Sequence, residues 1–505
     1  MRLELDRHSG DTIQAQLRRS VIDAIHAGQL TPGQRLPPSR QLAGRLGIAR
    51  NTVTAVYDEL AARGYLHSIP RRGHFVMAGI AAEPDATPDA SAAAVPVPPR
   101  SLAAVTSSGP APGPASGRPS AIDWQARLKQ RPSALRHIHK PSNWQDYPFP
   151  FVYGQVDPRL FPLNTWRACS RDALGRSAID WWTADRAVED DPQLIEQIRT
   201  QILPKRGIYA REDEILITLG SQEGFFLLAR LLARADTRVG VETPGYPDSR
   251  NIFAAEGARM VDMAIDGSGA RFDHPDPLDV AILTPAHHCP TMITMSPARR
   301  RAVIDRATRD GTILIEDDYE GETSFAADQT TLKSMDTGGR VVYLGTLSKV
   351  LAPGVRIGFM VADAALIAEA RWLRRLIHRS APLNNQRTAA IFLAEGHYLA
   401  LLRQLRAALA RRFDRVAAGC DRYLPDFLRA PGSGGSSVWL ECPPGLDARA
   451  LHVAARRLGV LAEDGDPFVP VAQAGRFLRL GISYIDEDRV SEGLRRLARA
   501  ADQAG

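Results

Sequence analysis

The sequence predicts two folded units of different class: a winged helix-turn-helix at the N-terminus, then a large α/β domain built on a doubly wound, mainly parallel sheet with a smaller α/β domain at its C-terminal end. Three observations predict this. Short apolar-faced helical stretches flank Gly47-Ile48 and are followed by two strand-like runs. Residues 79–120 are dominated by Ala, Pro, Ser and Gly. Between 210 and 380, short apolar runs alternate with amphipathic stretches, the pattern of parallel strands joined by crossover helices. A chain of 505 residues is also too long for one hydrophobic core.

In the first unit, residues 1–78, a helix is expected over Thr12–Ala27 with Ile13, Leu17, Val21, Ile22 and Ile25 on one face. Gly28 and Pro32-Gly33 punctuate the chain. Ser39–Leu46 reads as a short helix, Gly47-Ile48 as a tight turn, and Ala49–Arg63 as a second helix with Val53, Val56, Tyr57 and Leu60 facing inward. Tyr65–Ser68 and His74–Met77 then flank Pro70-Arg71-Arg72-Gly73 as a hairpin wing. Two short helices across a tight turn make a helix-turn-helix. Its second helix opens on Arg50, Asn51 and Thr52, where base edges and phosphates are met; Arg40, on the preceding helix, and the wing-tip pair Arg71 and Arg72 add charge. Residues 1–78 hold 11 Arg, no Lys and 6 Asp plus Glu, a net of 11 − 6 = +5 against +6 for the whole chain. Such a concentration suits an anionic partner, double-stranded DNA above all. A helical hairpin with a solvated basic surface would explain the apolar periodicity equally well, but not arginines at both the helix start and the wing tip.

Residues 79–120 cannot bury enough apolar surface to fold and read as a Pro-stiffened linker. No apolar run reaches transmembrane length, and MRLELDRHSG is not a secretory leader. The four cysteines are scattered without CxxC or metal-ligand spacing, so a reducing cytoplasm and no metal are expected.

In residues 121–505, candidate strands are EILITLG, RVGVE, DVAILTP, TILIEDD, VVYLGT and GFMVA, with helices such as EGFFLLARLLAR and PARRRAVIDRATRD between them; SSVWLEC and RFLRLGIS belong to the smaller domain. Only five of the 63 basic residues are lysines: Lys129, Lys140, Lys205, Lys333 and Lys349. Arginine holds anions but forms no Schiff base. Lys349 alone follows a buried-strand pattern, VVYLGTLSK. Asp317 ends the strand TILIEDD, with Tyr319 two residues on and on the same face of an extended chain. Gly220 precedes Ser221-Gln222 at a helix start, an anion site, and Thr346 and Arg356 lie close to Lys349 in sequence. A lysine for an aldehyde, an acid for a pyridine nitrogen, a tyrosine for a phenolic oxygen and an anion cradle are together the complement of pyridoxal 5′-phosphate (PLP). Arg479, in the apolar run FLRLG, is costly to bury unless it pairs, either with a ligand carboxylate or in an internal salt bridge.

The stretch RLPPSRQLAGRLGIARNTVTAVYDELAARGYL closely resembles the winged helix of GntR-type regulators. With VYGQVDPRLFPLNTWRACSRDAL, GSQEGFFLLARLL, VETPGY, TPAHHCPT, IEDDYE, GTLSK and FLRLG in order, nearly the whole chain resembles MocR/GabR-type regulators, GntR-class winged helices fused to a fold type I aminotransferase domain. The resemblance implies Lys349 as the aldimine-forming lysine, Asp317 and Tyr319 on the ring, Ser221, Gln222, Thr346 and Arg356 on the phosphate, Tyr246 near the ring and Arg479 on an effector or substrate carboxylate. It further implies a homodimer, for which a domain-swapped arrangement is feasible but not compelled, that binds an operator and senses PLP or an amino compound through aldimine exchange. An active aminotransferase carrying an accessory winged helix is the second reading. Three segments depart from the pattern. Pro70-Arg71-Arg72-Gly73-His74 replaces a Gly-Ser-Gly-Thr wing, Trp181–Asp185 replaces Tyr-Gly-Asp-Pro, and Cys289-Pro290-Thr291-Met292 replaces Asn-Pro-Thr-Gly. The last removes the Asn expected on the phenolic oxygen and leaves His287 or His288 as its substitute. At most weak or partial transamination is expected.

Overall fold

The computed structural model describes residues 12–26, 29–31, 33–62, 65–69, 72–76, 122–176, 178–323, 330–432 and 434–504. The expected linker over 79–120, and with it any partner-swapped placement of the winged helix, lies outside these residues, as does Arg71. The chain divides into two units, Met1–Pro119 and Ser120–Gly505.

In the first unit, helix Ile13–His26 buries Leu17, Val21, Ala24 and Ile25, residues spaced to share one helical face. Helix Ser39–Leu46 stops at Gly47, whose φ of 61° is left-handed and whose N–H closes on the Ala43 carbonyl. Helix Arg50–Ala62 buries Val53, Val56, Tyr57 and Leu60. The Tyr57 hydroxyl donates to the Pro37 carbonyl at 3.0 Å, and Arg18 ties the first helix to the third through Glu59 at 3.0 Å. Strands Leu66–Ile69 and Gly73–Val76 pair antiparallel, with Leu66 opposite Val76. Main-chain bonds from Leu36 to His74 and from Val76 to Gln34 tie that hairpin to the chain ahead of the second helix. The helix-turn-helix and wing are therefore present, with strand ends shifted by one residue from the sequence expectation.

The second unit is organised by an eight-stranded sheet. Its spatial order is Ile215–Thr218, Gly358–Val361, Val341–Thr346, Ile313–Asp318, Val280–Leu283, Arg238–Thr243, Arg259–Asp266 and Gly269–Ala270. Five consecutive strands, from Val341–Thr346 to Arg259–Asp266, run parallel; Gly358–Val361 is antiparallel to both its neighbours. All six strands anticipated in the sequence are present. Strand Arg259–Asp266 was not anticipated, because it carries Arg259, Asp262 and Asp266 and only Met263 in it is fully buried. Helices such as Ser221–Leu232 and Pro297–Asp310 cover the sheet.

The C-terminal part forms a separate four-stranded antiparallel sheet in the order Leu428–Arg429, Ser437–Glu441, Phe477–Gly481 and Glu463–Asp464. The extended segment around Phe149–Pro150 pairs with Val460–Leu461 and then runs along Gly481. A Cβ on Gly481 would lie 2.2 Å from the Tyr153 nitrogen, so the bare glycine lets this segment pass. No helix among the described residues is long and apolar enough to cross a membrane.

Candidate cofactor and effector site

The parallel strands bring their carboxyl ends to one edge of the sheet, where ligands of such folds bind. Asp317, one residue short of its strand end, is in register with Leu344 of the neighbouring strand, and Lys349 follows three residues after that strand. Asp317, Tyr319, Ser221, Tyr246, Lys349 and Arg479 line one cavity of about 270 Å³, together with Lys140, Tyr153, Gly154, Cys289 and Glu463. The extended chain carries Asp317 and Tyr319 to this cavity together, as a two-residue spacing requires.

Lys349 Nζ stands 4.2 Å from the Tyr153 ring centroid and 5.9 Å from that of Tyr319. A Cβ on Gly154, whose φ is +72°, would come within 3.2 Å of Nζ. Burial holds the ammonium below its ordinary pKa, Glu320 opposes that shift and Arg479 adds to it. A lysine so placed offers a larger neutral, nucleophilic fraction than one in water. Asp317 is buried, and its Oδ1 has no hydrogen-bond partner. Burial and the adjacent Asp318 push it up to about 8, against the pull of Lys349 and the Ser221 hydroxyl. An acid in this condition suits a ligand that brings its own positive charge.

Beyond Ser221 the anion cradle takes shape. Gly220, at φ 87°, precedes helix Ser221–Leu232 without a side-chain cap, leaving the first helical N–H groups uncapped by side chains. The Arg356 guanidinium packs over Gly220 and donates to the Leu219 carbonyl. A Cβ on Gly358 would meet the Gly220 Cα at 2.7 Å, so this strand reaches the turn only as glycine. The Thr346 hydroxyl donates to the Ile357 carbonyl at 3.3 Å and accepts the Ser348 N–H at 3.1 Å, while the buried Ser348 hydroxyl has no partner. Gln222 departs from its expected place. Its amide donates to Asp248 at 3.1 Å, an oxygen that also accepts the Tyr246 hydroxyl at 3.1 Å, and Gln222 does not line the Lys349 cavity.

Arg479 is fully buried. Its Nε donates to the Ser437 hydroxyl at 3.1 Å, its guanidinium lies 3.5 Å over the Tyr153 ring, and both terminal nitrogens lack hydrogen-bond partners. Glu463 stands 3.8 Å away, a loose internal pair that leaves the hydrogen-bonding capacity of the fork open.

His287 and His288 do not line this cavity. His287 faces Glu320 at 3.6 Å. His288 contacts the Thr291 hydroxyl at 2.7 Å and faces Glu242 at 3.7 Å, and burial lowers its pKa to about 3. The position toward Tyr319 belongs instead to Cys289, whose thiol burial pushes up to about 12. Met292 takes φ 62° where the aminotransferase pattern has glycine, and the Tyr319 hydroxyl reaches its sulfur at 4.0 Å.

Tyr153, Gly154, Ser348, Lys140 and Glu463 were missed as site residues. The first three sit inside the segments VYGQVDP and GTLSK that carry the family pattern, which was their only signal. Lys140 and Glu463 arrive through long-range packing. The unpaired Asp317 oxygen, the uncapped helix start beneath Arg356 and Lys349 over Gly154 fit the nitrogen, phosphate and aldehyde of PLP respectively.

On the first unit, Arg40, Arg50, Asn51 and Arg72 are exposed and Thr52 is half-buried. None of these three arginines forms an ion pair with another described residue. Arg50, Asn51 and Thr52 share the start of the third helix, Arg40 lies on the preceding helix and Arg72 immediately precedes the second wing strand.

A winged helix followed by an aminotransferase-like fold defines a class: transcription regulators with an aminotransferase-like domain. Comparison with known proteins agrees. Residues 13–76 match the family described as bacterial regulatory proteins, gntR family, and residues 186–497 match aminotransferase class I and II. The chain is 38% identical to the HTH-type transcriptional regulator TauR of Rhodobacter capsulatus, over 97% of this chain and 96% of that one. It is 28% identical to the probable rhizopine catabolism regulatory protein MocR of Rhizobium meliloti, over 99% and 95%. The kynurenine aminotransferase of Pyrococcus horikoshii superposes with a TM-score of 0.68 at 24% identity, over 75% of this chain and 98% of that one. The protein belongs to the MocR subfamily of GntR regulators and is a DNA-binding transcription regulator.

Proposed function

We propose that the second unit binds PLP and reports an amino-compound effector, or PLP itself, to the DNA-reading unit. When bound, PLP supplies an aldehyde that condenses reversibly with primary amines. Lys349 is the protein amine for that aldehyde. Asp317 takes the ring nitrogen, and the charge of a protonated ring offsets the cost of ionising this buried acid. Tyr319 and Cys289, which line the same cavity, would meet the phenolic oxygen. The uncapped helix start, Ser221, Ser348, Thr346 and Arg356 hold the phosphate. Arg479 holds an anionic group of the effector with its two free nitrogens, which also fixes the direction in which the effector amine enters. The observation that carries this reading is the set of buried, partnerless polar atoms around Lys349: Asp317 Oδ1, Ser348 Oγ and Arg479 Nη1 and Nη2. Unmet polar atoms of this kind are costly unless a ligand meets them.

The regulator acts as a homodimer presenting two winged helices to two operator half-sites, and effector binding shifts the population between two DNA-binding geometries. The test is borohydride reduction of the purified protein followed by peptide mass analysis. A pyridoxyl adduct on Lys349 is expected; an adduct on Lys140 or another lysine, or none, overturns the assignment. Footprints protecting a single half-site overturn the dimeric reading.

A further inference from the structure

Beyond the residues given roles above lies Glu320, immediately after Tyr319. It is buried at 3% exposure, and one carboxylate oxygen accepts the Ser436 hydroxyl while the other has no hydrogen-bond partner. His287 stands 3.6 Å from that second oxygen with neither ring nitrogen hydrogen-bonded. Glu320 and Ser436 line a small cavity of about 30 Å³ that also reaches Lys349 and Gly154. Lys349 and Gly154 line the larger cavity as well, so the lysine stands between the cofactor site and a buried carboxylate.

We propose that Glu320 is a positioning residue that receives the Lys349 ammonium whenever the lysine nitrogen is not joined to the cofactor, with Ser436 and His287 holding the carboxylate in place. This rests on the reading of Lys349 as the cofactor lysine. The charged and titratable groups facing Lys349 are Glu320, Asp317, Arg479 and Cys289, beside the Tyr153 and Tyr319 rings. Of the two acids, Asp317 is held mostly protonated at neutral pH by burial, and with PLP bound it is committed to the ring. Burial pushes Glu320 up too, but the His287 ring, Lys349 and the Ser436 hydroxyl outweigh it and keep this carboxyl below its ordinary value. Glu320 is therefore the ionised partner open to the lysine in either state. Proton balance gives it a function. An effector amine arrives as an ammonium and must lose a proton to bond to the cofactor, and the displaced lysine gains one. A carboxylate beside the lysine favours that outcome and so favours effector capture.

The experiment uses cofactor-free full-length protein and competitive labelling of amines with trace acetic anhydride, reading the Lys349 peptide by mass across pH. Glu320→Gln should lower the Lys349 titration midpoint by at least one pH unit, which is about tenfold faster labelling on the acidic side. Glu320→Asp should restore most of it, and Asp317→Asn should move it less. In PLP-loaded protein, E320Q should need about tenfold more effector amine to displace the lysine. A midpoint within 0.3 units of wild type (about a factor of two in labelling) overturns the proposal. Should E320Q fold poorly by circular dichroism, the double variant Glu320→Ala, Ser436→Ala, which leaves no orphaned hydroxyl, is read against the same limits. Labelling needs no cofactor, so it reports on Glu320 even if PLP attaches elsewhere, whereas failure of attachment at Lys349 is seen separately in the borohydride experiment.

Discussion

The winged helix and the aminotransferase fold place their charges in opposite ways. Among the described residues of the first unit every fully buried side chain is apolar or the hydrogen-bonded Tyr57, and Arg40, Arg50 and Arg72 stand in solvent. The Lys349 cavity buries Asp317, Arg479 and Glu463, with Cys289 and Tyr319, and leaves several polar atoms without partners. A DNA reader needs charges that stay ionised and whose counterions can be exchanged, so its contacts are individually modest and salt-dependent. A small-molecule site gains strength from desolvation, so each group there is costly, has a shifted pKa and depends on its neighbours.

Mutations sharpen this contrast, and the cavity should give the larger effects. Lys349→Ala should abolish covalent cofactor attachment and the visible absorbance that accompanies it; absorbance that survives unchanged would place the cofactor on another lysine. Arg479→Ala should weaken the effector response about thirtyfold or more, the range for truncating one partner of a buried charged contact, about 2–5 kcal/mol. An unchanged effector titration of DNA binding would show that the effector anion lies elsewhere.

A third change separates burial from ligand. The Asp317 pKa rises from 3.8 to about 8 on burial. A raised acid pKa contributes stability that is complete below the unfolded value and is lost as pH climbs through the folded one. Cofactor-free wild type should therefore lose stability between about pH 4 and pH 8, and Asp317→Asn should lose less, so that the mutant melts a few degrees higher near pH 8.5 (roughly 2 °C per kcal/mol in a domain of this size). Glu242 and Glu316, both pushed up to about 7 by burial, contribute in the same direction in each protein. Adding PLP should reverse the order. Melting curves at four pH values decide it, and parallel curves would mean Asp317 ionises freely.

The reader should respond more mildly. Arg50→Ala should leave cofactor loading intact. If Arg50 meets a phosphate, affinity falls across all sequences and the salt slope flattens by about one; if it meets a base, about 1–3 kcal/mol is lost at one operator position. Arg72→Ala on the wing should cost less still. Operator titrations at several salt concentrations test both, and equal affinities throughout would remove these residues from the interface.

Much of this was legible in the sequence because it depends on local pattern. The apolar spacing Val53, Val56, Tyr57, Leu60 and the Gly47 turn are set within a few residues, as are the VVYLGT and TILIEDD strands. The positions of Lys349, Asp317 and Tyr319 follow from strand ends and the two-residue side-chain repeat. What escaped depends on contacts distant in sequence. Glu463 meets Arg479 only because two antiparallel strands place them opposite each other. Tyr153 enters the cavity through a segment laid against a strand some 330 residues later. The histidines escaped for the same reason: His287 faces Glu320 and His288 faces Glu242, both distant in sequence, and Cys289 lines the cavity instead.

The close passage of Tyr153 over Gly481 makes a lever of the C-terminal sheet. The strand that carries Arg479 ends at Gly481, whose N–H is bonded to the Phe151 carbonyl. Glu463, on the adjacent strand, accepts the Tyr153 N–H at 2.9 Å. Tyr153 and Gly154 form the wall against Lys349. The Arg479 strand and the lysine's surroundings are thus joined by one main-chain bond and by the buried Glu463 carboxylate. Under the proposed function, any strand shift that accompanied anion binding at Arg479 would carry that wall with it and be felt mechanically at Lys349.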